Sequence, residues 1–203
     1  MATDTLLVEI GTEELPPKSL NRLRLSLADG MQKQLNNADL SYTTLQCHAT
    51  PRRLALIIEG LVDQQPDQAI ERRGPAVKAA YDEDGDPSKA LAGFMRACGI
   101  EDVTDLDTQK TEKGEWLVYR ASKPGASLAE LLPELLQVAL VDLPIERRMR
   151  WGATRVEFVR PVKWLTSVYG TDELPISLFG LDSGRSSMGH RFMSEGAFDI
   201  GSA

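Results

Sequence analysis

An α+β fold, a mixed sheet with packed helices, is what this sequence predicts. Short apolar runs rich in β-branched and aromatic residues stop at glycine or proline, as strands do. Other stretches place apolar residues at three- and four-residue spacing behind helix-start signals, as amphipathic helices do.

Thr5 to Ile10 is a mostly apolar run halted by Gly11 and reads as a buried strand. Pro16 and Pro17 suit a first helical turn. Leu20, Leu23, Leu27, Met31 and Leu35 then mark one face of a helix of about five turns that Asn36-Asn37 ends. Glu13 and Glu14, at the strand-to-helix turn, have two readings: a site for a cation or substrate amine, or acidic residues that complement the helix N-terminus. Tyr42 to His48 and Leu54 to Glu59 read as strands joined around Thr50-Pro-Arg-Arg53. Arg52 and Arg53 at that tip either grip a phosphate or stand exposed. Gln68 to Arg73 is a further strand, ended by Gly74-Pro75, with Arg72 and Arg73 a second arginine pair beside a turn.

Tyr81 to Asp86 is a polar loop. Asp86 is the expected N-cap of a helix with Pro87 as its first residue, Leu91, Phe94, Met95 and Cys98 as its core-facing stripe and Gly99 as its stop. Glu115 to Ala121 is a strand after Lys113-Gly114. Ser127-Leu-Ala-Glu130 has the form of a capping box, and Pro133, six residues past the cap, predicts that this helix kinks or restarts. Gly170 to Glu173 is a turn and Leu174 to Phe179 a strand. Ser183 to Phe192 mixes glycines, hydroxyls and cations in a way that suits a strand bordered by binding loops. The chain stops at Gly201-Ser-Ala203 with no helix or strand to close it, as at a cut within a longer protein.

Arg147 to Tyr169 gathers five arginines and two of the three tryptophans of an otherwise acidic chain. From Phe158 onward, large apolar residues alternate with cations and predict a central strand. Arg147, Arg148 and Arg150 beside Trp151 suit stacking and phosphate or carboxylate contact. The alternative is that Trp151 is core and the arginines a solvated rim.

The 203 residues are 42% hydrophobic and 26% charged, enough for an ordinary globular core. The net charge of -7 argues against a protein that coats nucleic acid nonspecifically, though a local basic face remains open. No apolar run approaches ~20 residues and the N-terminus lacks a signal-peptide pattern, so a cytoplasmic protein without membrane or DNA partners is expected. Cys47 and Cys98 read as small core hydrophobes. His48 and His190 lack a ligand-spaced partner, so no metal site is expected. His190, between Gly189 and Arg191, suits hydrogen bonding to phosphate or ribose, or a pairing within the fold. The chain carries no phosphate-binding glycine loop, dinucleotide fingerprint or nucleophile elbow.

Leu6-Leu-Val-Glu-Ile-Gly-Thr-Glu-Glu-Leu-Pro-Pro17 resembles the opening of the β subunits of bacterial tetrameric glycine–tRNA ligases. So do Thr50-Pro-Arg-Arg-Leu-Ala55, Arg73-Gly-Pro-Ala76, Lys113-Gly-Glu-Trp116, Met149-Arg-Trp-Gly152, Phe158-Val-Arg-Pro-Val162 and Gly189-His-Arg-Phe192, in the family's order. Lys163 stands where many members have histidine, which argues against a catalytic role there. The resemblance implies an aminoacyl-tRNA synthetase subunit in a two-α, two-β assembly, whose partners are the α subunit, a second β subunit and glycine tRNA. It implies that ATP and Mg²⁺ act at the α subunit, with no cofactor and no catalytic residue in residues 1–203. These residues would form an N-terminal region similar to the B3/B4 domain of the phenylalanine–tRNA ligase β subunit.

Two functions follow from that resemblance. In the first, this region binds tRNA or positions the neighbouring subunit, through Arg52, Arg53, Arg72, Arg73, Arg147, Arg148, Arg150, Trp151, Arg185, His190 and Arg191. In the second it is an editing-type hydrolase, with His190, Glu13 or Glu14 orienting water. Glycine is the smallest amino acid, so a glycine pocket can exclude larger competitors sterically and the need for editing is weak.

Overall fold

A computed structural model of the chain describes residues 2–81, 86–111, 114–153 and 155–203. The expected loop at residues 82–85 and Lys113 of the Lys-Gly-Glu-Trp motif lie outside the described residues. Strand β1 (Thr3–Thr12) leads to helix α1 (Pro17–Asn37) and the strands β2 (Thr44–Thr50) and β3 (Arg53–Val62). Next come β4 (Gln68–Ala76), α2 (Val77–Ala80), α3 (Lys89–Cys98), β5 (Leu106–Thr111), β6 (Gly114–Lys123) and α4 (Leu128–Val141). Short strands follow: β7 (Met149–Arg150), β8 (Glu157–Phe158), the longer β9 (Val162–Tyr169), β10 (Asp172–Glu173), β11 (Ser177–Leu178), β12 (Leu181–Asp182), β13 (Ser186–Met188) and β14 (Ala197–Asp199). The chain divides into two compact units, Met1–Pro66 with Ala126–Ala203, and Asp67–Gly125.

The larger unit is built on an antiparallel sheet in the order β10-β9-β1-β3-β2. The strand expected at the centre, from Phe158, is two pieces: Phe158 pairs in β8, and β9 begins only after Pro161 and lies beside the centre. Pro161 has no N–H for a ladder, and β1, paired on both edges, takes the middle. Alternation sends Leu6, Val8 and Ile10 of β1 and Leu54, Leu56 and Ile58 of β3 into one core. Leu23, Leu27, Met31 and Leu35 of α1 fill it from the helix side, as their spacing predicts. Each such side chain contributes roughly 1.5–3 kcal/mol when fully buried.

Helix α4 carries both halves of the expected capping box: the Ser127 hydroxyl accepts from the Glu130 N–H, and the Glu130 carboxylate accepts from the Ser127 N–H at 2.9 Å. It does not restart at Pro133, which lies inside one helix. A mid-helix proline costs about 3 kcal/mol, and Leu128, Leu132, Leu135, Leu136, Ala139 and Leu140, buried on either side of it, offset that cost. The expected strand Leu174 to Phe179 is reduced to Ser177–Leu178, because Phe179 takes a left-handed φ of 58° and turns the chain into β12.

The smaller unit has the antiparallel sheet β4-β6-β5. Gly74-Pro75 does not end β4, which continues to Ala76 through an irregularity after Arg73. An edge strand tolerates proline because its outer N–H needs no ladder partner. Helix α3 starts later than expected. Ser88, not Asp86, is its N-cap, accepting from the Leu91 N–H at 3.3 Å, so Pro87 precedes the helix. Gly99 ends it in the left-handed conformation, as expected. Leu91 is its fully buried residue, whereas Cys98 is only half-buried rather than in the core. Among the described residues no helix is long and apolar enough to cross a membrane.

Candidate functional site

The sheet register of the larger unit places three residues in a row across its central strands. Gly11 of β1 faces Arg53 of β3 on one side and Trp164 of β9 on the other. One pair further back on the same face is Glu9, between Ala55 and Thr166. Leu6, Val8 and Ile10 alternate to the other face, so a carboxylate is set within a strand whose opposite side is core.

Glu9 is 6% exposed and fully engaged. Its Oε1 accepts from the Trp164 indole N–H and from the Ser187 hydroxyl, both at 2.6 Å, and its Oε2 accepts from the Arg53 guanidinium at 2.8 Å. Arg53 also donates to the Ser187 hydroxyl at 3.1 Å and to the Met188 carbonyl. Gly11 makes this possible: a Cβ there would lie 1.9 Å from the Trp164 ring. The indole therefore crosses β1 on bare backbone to reach Glu9. This network fastens β13 to the sheet.

Main-chain bonds gather three turns at the same end. The Thr12 N–H donates to Arg52 O at 2.8 Å, Glu13 N–H to Pro161 O at 3.0 Å, and Leu15 N–H to Pro51 O at 2.6 Å. Together with the turn after β13 they enclose a cleft of about 460 Å³ lined by Glu13, Arg52, Lys163, Trp164, His190 and Arg191, among others. Glu13 pairs with Lys163 at 3.3 Å, which uses its charge on a neighbour in the cleft wall. The buried Nε of Arg52 has no hydrogen-bond partner. His190 Nδ1 accepts from the Phe192 N–H at 3.3 Å, which leaves the ring proton on Nε2. Such a cleft, with two guanidiniums, an ammonium, an imidazole N–H and an indole wall, is suited to an anionic ligand.

The remaining candidates are elsewhere. In the smaller unit, Arg72 donates to Ala97 O at 2.8 Å and Arg73 lies 3.9 Å from the Trp116 ring centroid. Arg147 lines a separate cavity of about 230 Å³ with Pro16, Pro144 and Arg160. Arg148 donates to Val141 O at 2.8 Å, Arg150 pairs with Glu157 at 3.3 Å, and Trp151 packs against the main core. Arg185 pairs with Glu173 at 3.0 Å and donates to Thr171 O. Cys47 is buried, and burial pushes its thiol up to about 12, while His48 is exposed on the opposite face of β2. Adjacent strand residues cannot share an ion from opposite faces. Among the described residues no cluster of three or more His, Cys, Asp and Glu side chains is placed to hold a metal.

Glu9, Trp164 and Ser187 were not singled out from the sequence as site residues. A signal for Glu9 was there: a lone carboxylate in an apolar run, on the face that alternation turns away from the core.

A family model described as the glycyl-tRNA synthetase beta subunit matches residues 6–203. Similar curated proteins are named glycine–tRNA ligase beta subunit. That of Chromohalobacter salexigens is 49% identical over 203 residues, all of this chain and 29% of the relative. That of Alteromonas mediterranea is 48% identical over 200 residues, 98% of this chain and 29% of the relative. One from Escherichia coli is 48% identical over 203 residues, with the same 29% share. The chain thus spans less than a third of the length of these relatives.

Proposed function

The chain belongs to the glycyl-tRNA synthetase beta subunit family, and on that premise we propose that it is a tRNA-binding and assembly portion of a glycine–tRNA ligase. In this reading the complete enzyme joins glycine to its tRNA at the expense of ATP, in a cytoplasmic two-α, two-β assembly. ATP and Mg²⁺ act at the α subunit, and residues 1–203 bind and position without taking part in the chemistry. They form an N-terminal, B3/B4-like region of a longer β subunit, a likeness that the antiparallel sheet with helices packed on one face supports.

The observation that carries the binding role is the convergence of Arg52, Lys163, His190 and Arg191 on one cleft, with the buried Arg52 Nε lacking a partner. Arginines at a cleft take backbone phosphates, and each phosphate neutralised releases counterions. Arg53 supports the same role indirectly, by fixing β13 beneath the cleft. Titration of the chain with glycine tRNA and with an unrelated tRNA over a series of salt concentrations tests this. Salt-dependent binding that prefers glycine tRNA is expected, and Arg52→Gln should lower the log-log salt slope by about 0.7–0.9. No binding at low salt would sink the tRNA role for these residues and leave subunit assembly.

A second reading is favoured by one observation: Glu13 and His190 line the same cleft, as an editing-type hydrolase would need for orienting water. Glu13 already pairs with Lys163 and His190 Nδ1 is occupied, so neither is arranged as a free general base. Deacylation of alanyl- or seryl-tRNA by the chain would favour this reading over the first.

A further inference from the structure

Exposed apolar surface is concentrated on one hairpin. Phe192 and Met193 are each 85% exposed, and Met188 and Phe198 are 39% and 48% exposed. All four lie in β13, β14 or the turn between them. A phenyl ring standing in water at a turn tip adds little to the fold, and clustered exposure of this kind marks an interaction site. The turn that carries it is well braced. Met193 and Ser194 donate main-chain bonds to His190 O at 3.2 and 3.0 Å. Gly189 lies so close to Ser194 that a Cβ would come within 2.0 Å of its hydroxyl. The strand entering the turn is held by the buried carboxylate of Glu9 through Ser187 and Arg53.

A guanidinium and an imidazole flank the ring. The Arg191 guanidinium lies 5.7 Å from the Phe192 ring centroid and the His190 ring 6.2 Å away. Arg191 and His190 also line the cleft that holds Arg52 and Lys163. We propose that Phe192 is the stacking platform for an unpaired base of RNA, whose adjoining phosphate reaches Arg191 and Arg52. This rests on the tRNA-binding reading and adds to it that the segment bound here is single-stranded. An aromatic face accepts any base, and neighbouring guanidiniums take the phosphate without reading sequence. Because the turn is already braced, little ordering entropy opposes stacking.

The test uses Phe192→Ala, Phe192→Leu and Phe192→Trp, made in this chain and in the β subunit assembled with its α subunit. Each is titrated with glycine tRNA and with a single-stranded oligoribonucleotide carrying a fluorescent adenine analogue. The alanine and leucine variants are expected to lose about 5- to 150-fold in affinity for both RNAs, with the salt slope unchanged because stacking releases no counterions. Tryptophan should restore affinity and quench the analogue. With Phe192 so exposed, all three should melt with the wild type. Wild-type RNA affinity in Phe192→Ala, while Arg52→Gln still weakens binding, overturns the platform and leaves the tRNA reading intact. Wild-type affinity in Phe192→Leu overturns stacking in favour of a plain apolar contact. Loss of α-subunit association with RNA affinity unchanged overturns the proposal in favour of a protein contact. If the wild type binds neither RNA at any salt, both readings fall together.

Discussion

Arg53 reaches Glu9 at 2.8 Å and Arg150 reaches Glu157 at 3.3 Å. The first pair has side chains 23% and 7% exposed and shares its carboxylate with an indole and a hydroxyl; the second has side chains 70% and 41% exposed and sits on a two-residue hairpin. Residue types and contact distance are nearly the same, so the surroundings decide what each pair does. Out of water, removing such a carboxylate leaves the indole N–H and the hydroxyl without their acceptor and the guanidinium without its counter-charge. In water, each partner of the exposed pair is rehydrated at once. Arginine content in the sequence therefore says little until burial assigns each guanidinium to bracing or to binding.

Several changes would break or sharpen that contrast. The largest effect is expected from Glu9→Ala, which removes the carboxylate facing the partly buried Arg53 guanidinium and the acceptor of Trp164 and Ser187. It should destabilise the larger unit by about 3–5 kcal/mol in chemical denaturation, and a loss below ~1 kcal/mol would place Glu9 with the surface pairs. Next comes Gly11→Ala. The new Cβ would fall on the Trp164 ring and push the indole off Glu9, for a loss of about 1–3 kcal/mol. A changed near-ultraviolet circular dichroism spectrum should accompany it, and an unchanged one would mean the indole relaxes without leaving its site. The smallest effect belongs to Glu157→Ala, at about 0–1 kcal/mol, falling further in high salt. A salt-insensitive loss as large as that of Glu9→Ala would erase the distinction between the two pairs.

Local signals in the sequence were read well where the physics is local. The leucine spacing of α1, the reciprocal cap of Ser127 and Glu130, the β2–β3 turn and the stop at Gly99 each depend on residues within a few positions of one another. One local expectation differs from the fold for an identifiable reason: Asp86 and Ser88 are both good caps, and only the path of the chain chose Ser88. Of the kink or restart expected at Pro133, the restart is absent, because buried leucines on both sides hold one helix together. The core of the candidate site was not legible. Glu9 meets Trp164 and Ser187 across 155 and 178 residues, a distance over which neither periodicity nor propensity carries information. Arg53 illustrates the limit, because a turn tip with two arginines suits either a phosphate grip or exposure, and the register across Gly11 instead turns the second one toward Glu9.

The span between Glu9 and Ser187 also sets an order of events during synthesis. At about 5–20 residues per second, roughly 10–40 s separate the emergence of that carboxylate from the arrival of its last donor. For most of that interval, between the synthesis of β3 and that of β9, strand β1 has β3 to pair with but lacks β9, and the Glu9 carboxylate has Arg53 but neither Trp164 nor Ser187. The nascent N-terminal half must therefore keep a hydrated glutamate at an open sheet edge until the final quarter of this chain closes over it. That makes the passage through the ribosome, more than the finished fold, the stage at which this half is most exposed to mispairing and to capture by chaperones.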